Sequence, residues 1–300
     1  MDRLDAMSAV VAVGEAGSFS AAARHLAMPL PTLSRRISDL EAHLNTRLFN
    51  RSTRQLSLTD AGQAYLQACK RILDDVTEAE RSASGEFNAP RGDLVISAPI
   101  VFGRLHVLPT IGAFLKAYPD VRVRFVQSDR LINLLEEHVD LAVRIGELVD
   151  SNLIAARVGS TRRVVCASPS YLAEFGTPKH PTEVPAHQMI SFEGLTSPDT
   201  WVFKADSAEI PIPIRPKLIV NTAEAAIDAA IDGVGLTRVL SYQIEHAIET
   251  GTLAMILKRF EPAPAPISLV YLSQRRLPIK LRAFLDFAAP RLRARLTPRR

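Results

Sequence analysis

The chain has 300 residues, of which 47% are hydrophobic, and a formal net charge of +4. This length favours about two domains with real hydrophobic cores. No apolar run approaches the ~20 residues that a membrane helix needs, and two distant cysteines, Cys69 and Cys166, imply neither a disulfide framework nor a metal cluster. The composition excludes membrane-spanning and disulfide-rich secreted proteins and favours the reducing cytoplasm.

The N-terminal segment MDRLDAMSAVVAVGEAG predicts a first domain helix and not a signal peptide, because it carries acidic residues and its apolar residues have helical spacing. Ser18 and Ser20 are good N-cap types, and the strong helix former AAARHLA lies behind them. A break follows over 28–31. Pro31 suits the first turn of a new helix, where its missing N–H is not needed.

The new helix is predicted to bury one face and to offer the other to a partner. Its apolar stripe recurs at steps of four, three and four residues and consists of Leu33, Ile37, Leu40 and Leu44. At about 100° per residue, the residues that point away from the stripe are Pro31, Arg35, Ser38 and Ala42, with Arg36 on its flank. Such a helix fits the DNA major groove, where arginine pairs bidentately with guanine.

A basic turn after this helix predicts a wing of two short strands. Its inward-facing residues are Leu48, Phe49, Leu56 and Leu58, and its arginines are Arg47, Arg51 and Arg54. Between Ser20 and Leu56 there are six arginines and two acidic residues, a net charge of +4. Charge concentrated on so small a unit indicates a phosphate-binding surface. The alternative, a helical hairpin with a solvated basic face, is disfavoured because the break, the outward arginines and the basic turn occur in order.

This segment resembles the winged helix-turn-helix of LysR-type transcriptional regulators. The family's Pro-x-x-Ser-Arg-x-Ile-x-x-Leu-Glu pattern occupies 31–41, and its wing pattern, Leu-Phe-x-Arg-x-x-Arg and then Leu-Thr-x-Ala-Gly, occupies 48–62. The family's usual Ser-Gln before the helix proline is Pro29-Leu30 here, so no base contact is assigned to Leu30.

The DNA-contacting residues predicted for this motif are Ser20, Pro31, Thr32, Ser34, Arg35, Arg36, Arg51 and Arg54. Ser34 and Arg35 would work at or near base edges, and Pro31 and Thr32 at the groove entry. The phosphate contacts would come from Arg36, Arg51 and Arg54.

From Thr59 to about Phe87 the chain has no proline and predicts one long helix. Its apolar residues make a heptad-like seam that favours a partner helix; they are Leu58, Tyr65, Cys69, Ile72, Val76, Ala79 and Ala83. A dimer is favoured because helix-turn-helix units usually bind two half-sites, and the resemblance implies a homodimer or homotetramer. The alternative is a helix that packs on its own domain.

The C-terminal two-thirds alternate strand-like and helical segments and predict a mostly parallel α/β sheet. Predicted strands cover 93–97, 121–127, 139–146, 163–169, 189–192, 201–203, 217–221, 234–240 and 267–272. Predicted helices cover 103–118, 131–138, 170–175, 222–232 and 278–296.

The resemblance covers these segments too and implies a two-lobed effector domain like that of periplasmic binding proteins. The implied fold class is α/β, with an N-terminal winged helix-turn-helix and a long linker helix before this domain. The implied domains are 1–58 for DNA binding, 59–88 for the linker and dimerisation helix, and 92–300 for effector binding. Lobe one would comprise 92–161 and 266–300, lobe two 162–265, and the crossings would lie near 159–163 and 262–267.

Ligands of open α/β sheets bind beyond the carboxyl ends of strands, and three such ends face the expected cleft. The candidate effector-binding residues there are Pro99, Ile100, Val101, Phe102, Gly103, Ser128, Asp129, Arg130, Asn221 and Thr222. Backbone N–H groups of 99–103 precede a helix and would hold an anion, and the resemblance implies small effectors, often carboxylates. Alternatively, Ser128 and Thr222 are N-caps, and Trp201 and Phe192 belong to the core.

No catalytic motif is present: the chain has no G-x-S-x-G elbow, Walker loop, H-E-x-x-H or C-x-x-C. No catalytic residue, metal ligand or cofactor is therefore predicted. The sequence predicts a cytoplasmic transcriptional regulator that binds double-stranded operator DNA and a small-molecule effector, with RNA polymerase as a further candidate partner. The alternative is a solute-binding protein or enzyme with a helical N-terminal extension.

Overall fold

The computed structural model describes residues 2–51, 56–83, 89–148, 153–192, 199–206, 208–273 and 277–296. The chain divides into two compact units, Met1–Ala89 and Pro90–Arg300. Within the described residues, the first unit is helical apart from one short hairpin, and the second contains two five-stranded sheets and a separate hairpin. The predicted order of a helical unit and an α/β unit is confirmed.

The N-terminal unit forms the predicted helices and wing. Its elements are α1 (Arg3–Ala16), α2 (Phe19–His25), α3 (Leu30–Leu44), β1 (Phe49–Arg51), β2 (Leu56–Leu58) and α4 (Asp60–Ala83). The two strands pair antiparallel, with Phe49 opposite Leu58. Ala9, Val10 and Val13 of α1 are buried in the core of the unit, which confirms the prediction of a domain helix.

Local chemistry sets the boundaries of α2 and α3. The Ser18 hydroxyl accepts a hydrogen bond at 3.1 Å from the backbone N–H three residues on and caps α2, whereas Ser20 lies inside that helix. Pro29 precedes α3, and Pro31 lies in its first turn, where no N–H is needed. Asn45 ends α3 in the left-handed conformation. The predicted break and restart are confirmed.

The apolar stripe of α3 and the wing share one core. Their buried residues are Leu33, Ile37, Leu40, Leu48 and Phe49. The ring of Phe49 meets that of Phe19 edge to face, with centroids 5.8 Å apart. Because helix and wing are packed together, the wing has a fixed position beside α3.

The long helix α4 packs on its own unit through its N-terminal half. Leu66 and Cys69 are buried, and the Lys70 ammonium pairs with the Glu15 carboxylate of α1 at 2.6 Å. Farther along the predicted seam, Ile72 is 40% exposed. The alternative of a helix packed on its own domain therefore holds for the first turns of α4, and Ile72 presents apolar surface beyond them.

Lobe one of the C-terminal unit is built on the first five-stranded sheet. Across the sheet, its strands are β4 (Val121–Gln127), β3 (Gly92–Ala98), β5 (Leu141–Ile145), β14 (Ala265–Leu272) and β6 (Leu153–Thr161). Its helices are α5 (Ile100–Phe102), α6 (Leu108–Ala117) and α10 (Ile279–Leu296), with a π-helical turn, Gly103–Val107, between α5 and α6.

Lobe two is built on the second sheet. Across it, the strands are β11 (Leu218–Val220), β8 (Met189–Phe192), β12 (Leu236–Leu240), β7 (Arg163–Ala167) and β13 (Ala254–Ile256). The hairpin of β9 (Thr200–Ala205) and β10 (Ala208–Pro213) packs on one face of this sheet. The helices of the lobe are α7 (Pro169–Phe175), α8 (Ala223–Ile231) and α9 (Glu245–Glu249).

The prediction of a mostly parallel sheet is wrong, because both sheets are mixed. In lobe one, β3 pairs parallel with β4 and β5, whereas β14 pairs antiparallel with β5 and β6. In lobe two, β8 pairs parallel with β11 and β12, whereas β7 pairs antiparallel with β12 and β13. The physical reason is the route of the chain: β6 leads directly into lobe two at β7, and β14 returns to lobe one.

The helix predicted over 131–138 is also wrong, since these residues form turns. The Asn133 side chain accepts a hydrogen bond from the Leu135 N–H at 3.1 Å, which diverts the backbone from a helix. His138 has a positive φ of 54°. Ile132 and Leu134 are buried whereas Leu131 and Leu135 are exposed, so the burial does not follow the spacing of a helix. The strands β6, β10 and β13 were not predicted.

The segment 100–117 is long and apolar enough to cross a membrane by length and composition alone. Its residues Val101, Phe102, Val107, Ile111 and Phe114 are buried against the sheet of lobe one. The segment is therefore a core helix. Its α-helical start at Ile100 lies before the predicted start at Gly103.

We expect Gly62→Ala to destabilise the N-terminal unit. A Cβ atom at Gly62 of α4 would lie 1.9 Å from the Leu48 carbonyl oxygen, so the wing or the helix must shift. Overpacking of this kind costs about 1–3 kcal/mol or more. Urea denaturation followed by circular dichroism measures the loss.

The matched control is Gly112→Ala in α6, where a Cβ meets no atom within 4 Å. There the substitution should be neutral or stabilise by about 0.5–1 kcal/mol, because alanine favours the helix. Equal effects of the two substitutions would contradict the close approach of α4 to the wing.

Candidate functional site

The exposed face of α3 carries the groove-facing residues that the sequence predicted. Pro31, Thr32 and Arg35 are exposed, and Ser34 is half-buried on the same helix. Ser20 is exposed on α2. The side chains of Arg51 and Arg54 lie outside the described residues. Small polar groups and one exposed guanidinium on a helix suit contact with base edges in a groove.

Arg36 differs from Arg35 in its surroundings. Its guanidinium pairs with the Asp5 carboxylate of α1 at 3.2 Å, and its side chain is mostly buried. This ion pair joins α3 to α1. The arrangement favours a positioning contribution from Arg36 over the phosphate contact that the sequence predicted for it.

A single carboxylate on α3 anchors the wing. The Glu41 Oε1 atom accepts hydrogen bonds from the backbone N–H groups of Leu48, at 2.8 Å, and Phe49, at 3.1 Å. At the other end of the wing, the Thr59 hydroxyl donates to the Arg47 carbonyl at 2.8 Å and accepts from the Gly62 N–H at 2.9 Å. Bonds to a charged acceptor are the stronger kind, so Glu41 ties the wing to the exposed helix.

In the C-terminal unit, the turn over 99–103 carries its own carboxylate. The Ile100 N–H donates to Asp129 Oδ1 at 3.0 Å, and Gln127 Nε2 donates to the Ile100 carbonyl at 3.2 Å. Val101 and Phe102 are buried in the core. Asp129 therefore holds the first amide of the turn where the sequence predicted a ligand anion.

At the other two predicted strand ends, Ser128 and Thr222 hydrogen-bond to nearby backbone, as the alternative of N-caps predicted. The Ser128 hydroxyl accepts from the Arg130 N–H at 3.2 Å. The Thr222 hydroxyl accepts from the N–H three residues on at 3.2 Å and caps α8. Asn221, before it, is exposed. Ser128 and Thr222 thus have local backbone partners.

Aromatic rings join the two lobes beside the turn over 99–103. Phe102 and His106 of lobe one lie with ring centroids 5.4 and 5.7 Å from that of Tyr242 in lobe two. Within the described chain, the Tyr242 hydroxyl and His106 Nε2 are buried without a hydrogen-bond partner. Arg104 and Glu224 also bridge the lobes at 3.5 Å. The sequence did not predict this cluster, because its residues are distant along the chain.

Burial controls the protonation of the cluster. It raises the pKa of Tyr242, and the charge of Asp129 raises it further. Burial also lowers the pKa of His106, with a smaller contribution from Arg295. Both groups are therefore held neutral near pH 7, when each can make uncharged hydrogen bonds to a ligand.

Trp201 and Phe192 both belong to the core. Arg238 of β12 lies beside Trp201, with its Cζ atom 5.6 Å from the ring centroid. Arg238 is only 4% exposed. Burial, followed by the charge of Arg163, lowers its pKa to about 9, so its guanidinium stays charged at neutral pH. The sequence signal that could have singled out Arg238 is an arginine inside the apolar run VGLTRVL.

Two family descriptions match consecutive parts of the chain. Residues 4–63 match the bacterial regulatory helix-turn-helix protein of the LysR family. Residues 87–293 match the LysR substrate binding domain. The chain belongs to the LysR family of transcriptional regulators. The predicted function, a regulator with DNA-binding and effector-binding domains, is confirmed.

Relatives match this LysR-type regulator along nearly its whole length. The regulator CrgA of Neisseria meningitidis serogroup B is 36% identical over 290 residues, which are 95% of this chain and 96% of CrgA. An HTH-type regulator of Haemophilus influenzae is 34% identical over 281 residues, which are 94% of this chain and 98% of the relative. These relatives are regulators and not enzymes, so the alternative of a solute-binding protein or enzyme is excluded.

Solved structures of LysR-type regulators have the same fold. The structure of Neisseria meningitidis CrgA covers 96% of this chain and 98% of its own, with 34% identity and a TM-score of 0.61. The full-length Vibrio cholerae virulence activator AphB covers 95% of this chain and 98% of its own, with 28% identity and a TM-score of 0.61.

We expect Glu41→Ala to loosen the wing of this LysR-type regulator and to weaken DNA binding. The substitution leaves two backbone N–H groups without their charged acceptor, which should cost about 2–3 kcal/mol of unfolding free energy. Urea denaturation and a gel shift measure the two effects.

Asp39→Ala is the matched control, because it removes one negative charge from the exposed surface of the same helix. It should leave stability within about 0.5 kcal/mol of the parent. If both substitutions had the same effect on stability, the anchoring of the wing by Glu41 would be refuted.

Proposed function

We propose that this regulator reads operator DNA with α3 and its wing and responds to a small effector bound between its two lobes. The proposed division is 1–58 for DNA binding, 59–88 for dimerisation and 92–300 for effector binding. The observation that carries the DNA-reading part is the exposed face of α3, where Pro31, Thr32 and Arg35 stand beside an anchored wing.

Within the DNA-binding unit, we assign base reading to Arg35 and Ser34, and groove entry to Pro31 and Thr32. Arginine at a groove-facing position of a recognition helix discriminates guanine through two parallel hydrogen bonds. Arg51 and Arg54 would contact phosphates from the wing, and Ser20 of α2 would be a further DNA contact. Arg36 supports the orientation of α3 through Asp5.

We propose that α4 pairs with α4 of a second copy. The exposed Ile72 on the apolar seam supports this, since its surface is left for a partner. Two copies would present two recognition helices to two half-sites. A homodimer is the minimal assembly, a homotetramer would pair two of them, and the regulator would act on RNA polymerase in the cytoplasm.

The proposed effector site lies between the lobes, around 99–103, 128–130 and 221–222. The buried Tyr242 hydroxyl and His106 Nε2, each without a partner among the described residues, support a polar ligand here. An effector that binds one arrangement of the lobes more tightly would shift the population toward it. Because Asp129 already holds the Ile100 amide, a carboxylate effector would have to displace it.

Arg35→Ala should erode discrimination between operator and random DNA. Loss of one bidentate base contact costs about 1–3 kcal/mol on the correct sequence and much less on random DNA. Competition gel shifts with the chain's own upstream DNA and random DNA measure the ratio. Lys116→Ala, which removes one exposed positive charge from the C-terminal unit, is the control and should leave the ratio unchanged.

Arg51→Ala should behave differently and weaken binding on all sequences. Loss of one phosphate contact should reduce the slope of log affinity against log salt by about 0.9. Titrations at several salt concentrations give the slope. An unchanged slope for Arg51→Ala would contradict the phosphate contact assigned to Arg51.

For Arg35→Ala, an equal loss of affinity for operator and random DNA would contradict the base contact assigned to Arg35.

A further inference from the structure

A buried guanidinium that has no counter-ion among the described residues lies in lobe two. Arg238 of β12 is 4% exposed, and its Nη1 atom donates to the Val202 carbonyl of β9 at 3.1 Å. In the described part of the chain, its Nε atom is buried and has no hydrogen-bond partner. Buried charges in proteins are normally paired, because an isolated one is costly to remove from water.

A second arginine shares this face of the sheet. Strand β7 runs antiparallel to β12, with Arg238 opposite Val165 and Leu240 opposite Arg163. Arg163 and Arg238 are therefore diagonal neighbours on one face. Burial lowers the pKa of Arg163 also. Two partly desolvated cations side by side create a strongly positive interior.

Carboxylates do not offset this charge within the described residues. Neither Arg238 nor Arg163 has an ion pair there, and the Glu261 carboxylate is bound by Arg162 at 3.0 Å. The aromatic neighbour adds another donor, since the Trp201 Nε1 atom is buried and has no partner among the described residues. Arg238 Nε and Trp201 Nε1 can only donate, so the missing partner is an acceptor.

We propose that Arg238, Arg163 and Trp201 form an anion-binding site for the carboxylate of a small molecule. The Nε side of a guanidinium presents a fork that a carboxylate meets with two parallel hydrogen bonds. The indole N–H supplies a further donor to the same kind of acceptor. The site lies on the hairpin side of the second sheet and is separate from the turn over 99–103.

The burial of the site limits the size of its ligand. Trp201 is fully buried and Arg238 almost so, whereas Arg163 at the start of β7 is only half-buried. Arg163, next to the crossing between the lobes, is therefore the most exposed member of the proposed site. A compact monocarboxylate fits these limits. The inference does not depend on DNA binding or on the effector residues proposed above.

The protein supplies its own reporter for this site. Trp201 is the single tryptophan of the chain, so its emission reports the surroundings of Arg238. The full-length protein is titrated with sodium acetate at constant ionic strength. Acetamide, which has the same shape without the charge, is titrated in parallel. We expect a saturable change in emission with acetate and none with acetamide.

Substitutions assign the effect to the arginines. Arg238→Met should abolish the saturable change, and Arg163→Met should raise the dissociation constant about tenfold, as expected for loss of one charged partner. Arg215→Met, which removes an exposed arginine of the same lobe, should leave the constant within about twofold.

The outcomes separate the possibilities. Emission that does not change with acetate, or that changes equally with acetamide, overturns the proposal. A response that survives Arg238→Met in a folded protein overturns it as well. Circular dichroism shows whether Arg238→Met is folded. If it is unfolded, the acetate dissociation constants of Arg163→Met and Arg215→Met are compared instead. A higher constant for Arg163→Met supports the site, and equal constants overturn it.

Discussion

The C-terminal unit depends on the return of one strand. β14 follows lobe two in the chain and enters the first sheet between β5 and β6, which both precede lobe two, and it pairs antiparallel with both. Its residues Ile267, Leu269 and Val270 are buried. Without these pairings β6 would have no partner strand in the described sheet. The geometry of the space between the lobes follows from this constraint.

In the DNA-binding unit, neighbouring residues of α3 divide their tasks by burial. Arg36 turns toward Asp5 and holds the helix, while Arg35 stays exposed for a ligand. Glu41 faces the wing and satisfies two of its amides. The same helix is thus supported on one side, while the residues proposed to read DNA stay exposed on the other.

The sequence predicted the elements whose signals are local. The spacing of Leu33, Ile37 and Leu40, with Pro31 in front, was enough to place α3 and its exposed face. The apolar runs of β3, β8 and β14 placed the strands. What depends on distant pairing was not predictable in this way: the antiparallel register of β14 and the inter-lobe cluster are made by segments far apart along the chain.

Local sequence patterns also gave wrong predictions where side chains accept hydrogen bonds from backbone N–H groups. At 131–138 the apolar residues have helical spacing, yet the Asn133 side chain favours a turn. The turn over 99–103 has the geometry of an anion site, yet Asp129 fills it. The arginine in the apolar run VGLTRVL was a local signal for Arg238, but the sequence did not show which residues surround it. Such positions show their chemistry only once the fold brings their neighbours together.

The hold of Asp129 on the Ile100 amide has a consequence for sensitivity to metabolites. A carboxylate that belongs to the chain is present at a high effective concentration and is never diluted. A free carboxylic acid that binds the same amide must displace the Asp129 carboxylate. A low concentration of that acid therefore leaves the turn unchanged. For the proposed effector site this sets a threshold, because a ligand that displaces Asp129 would need further contacts of its own, such as contacts with the inter-lobe rings.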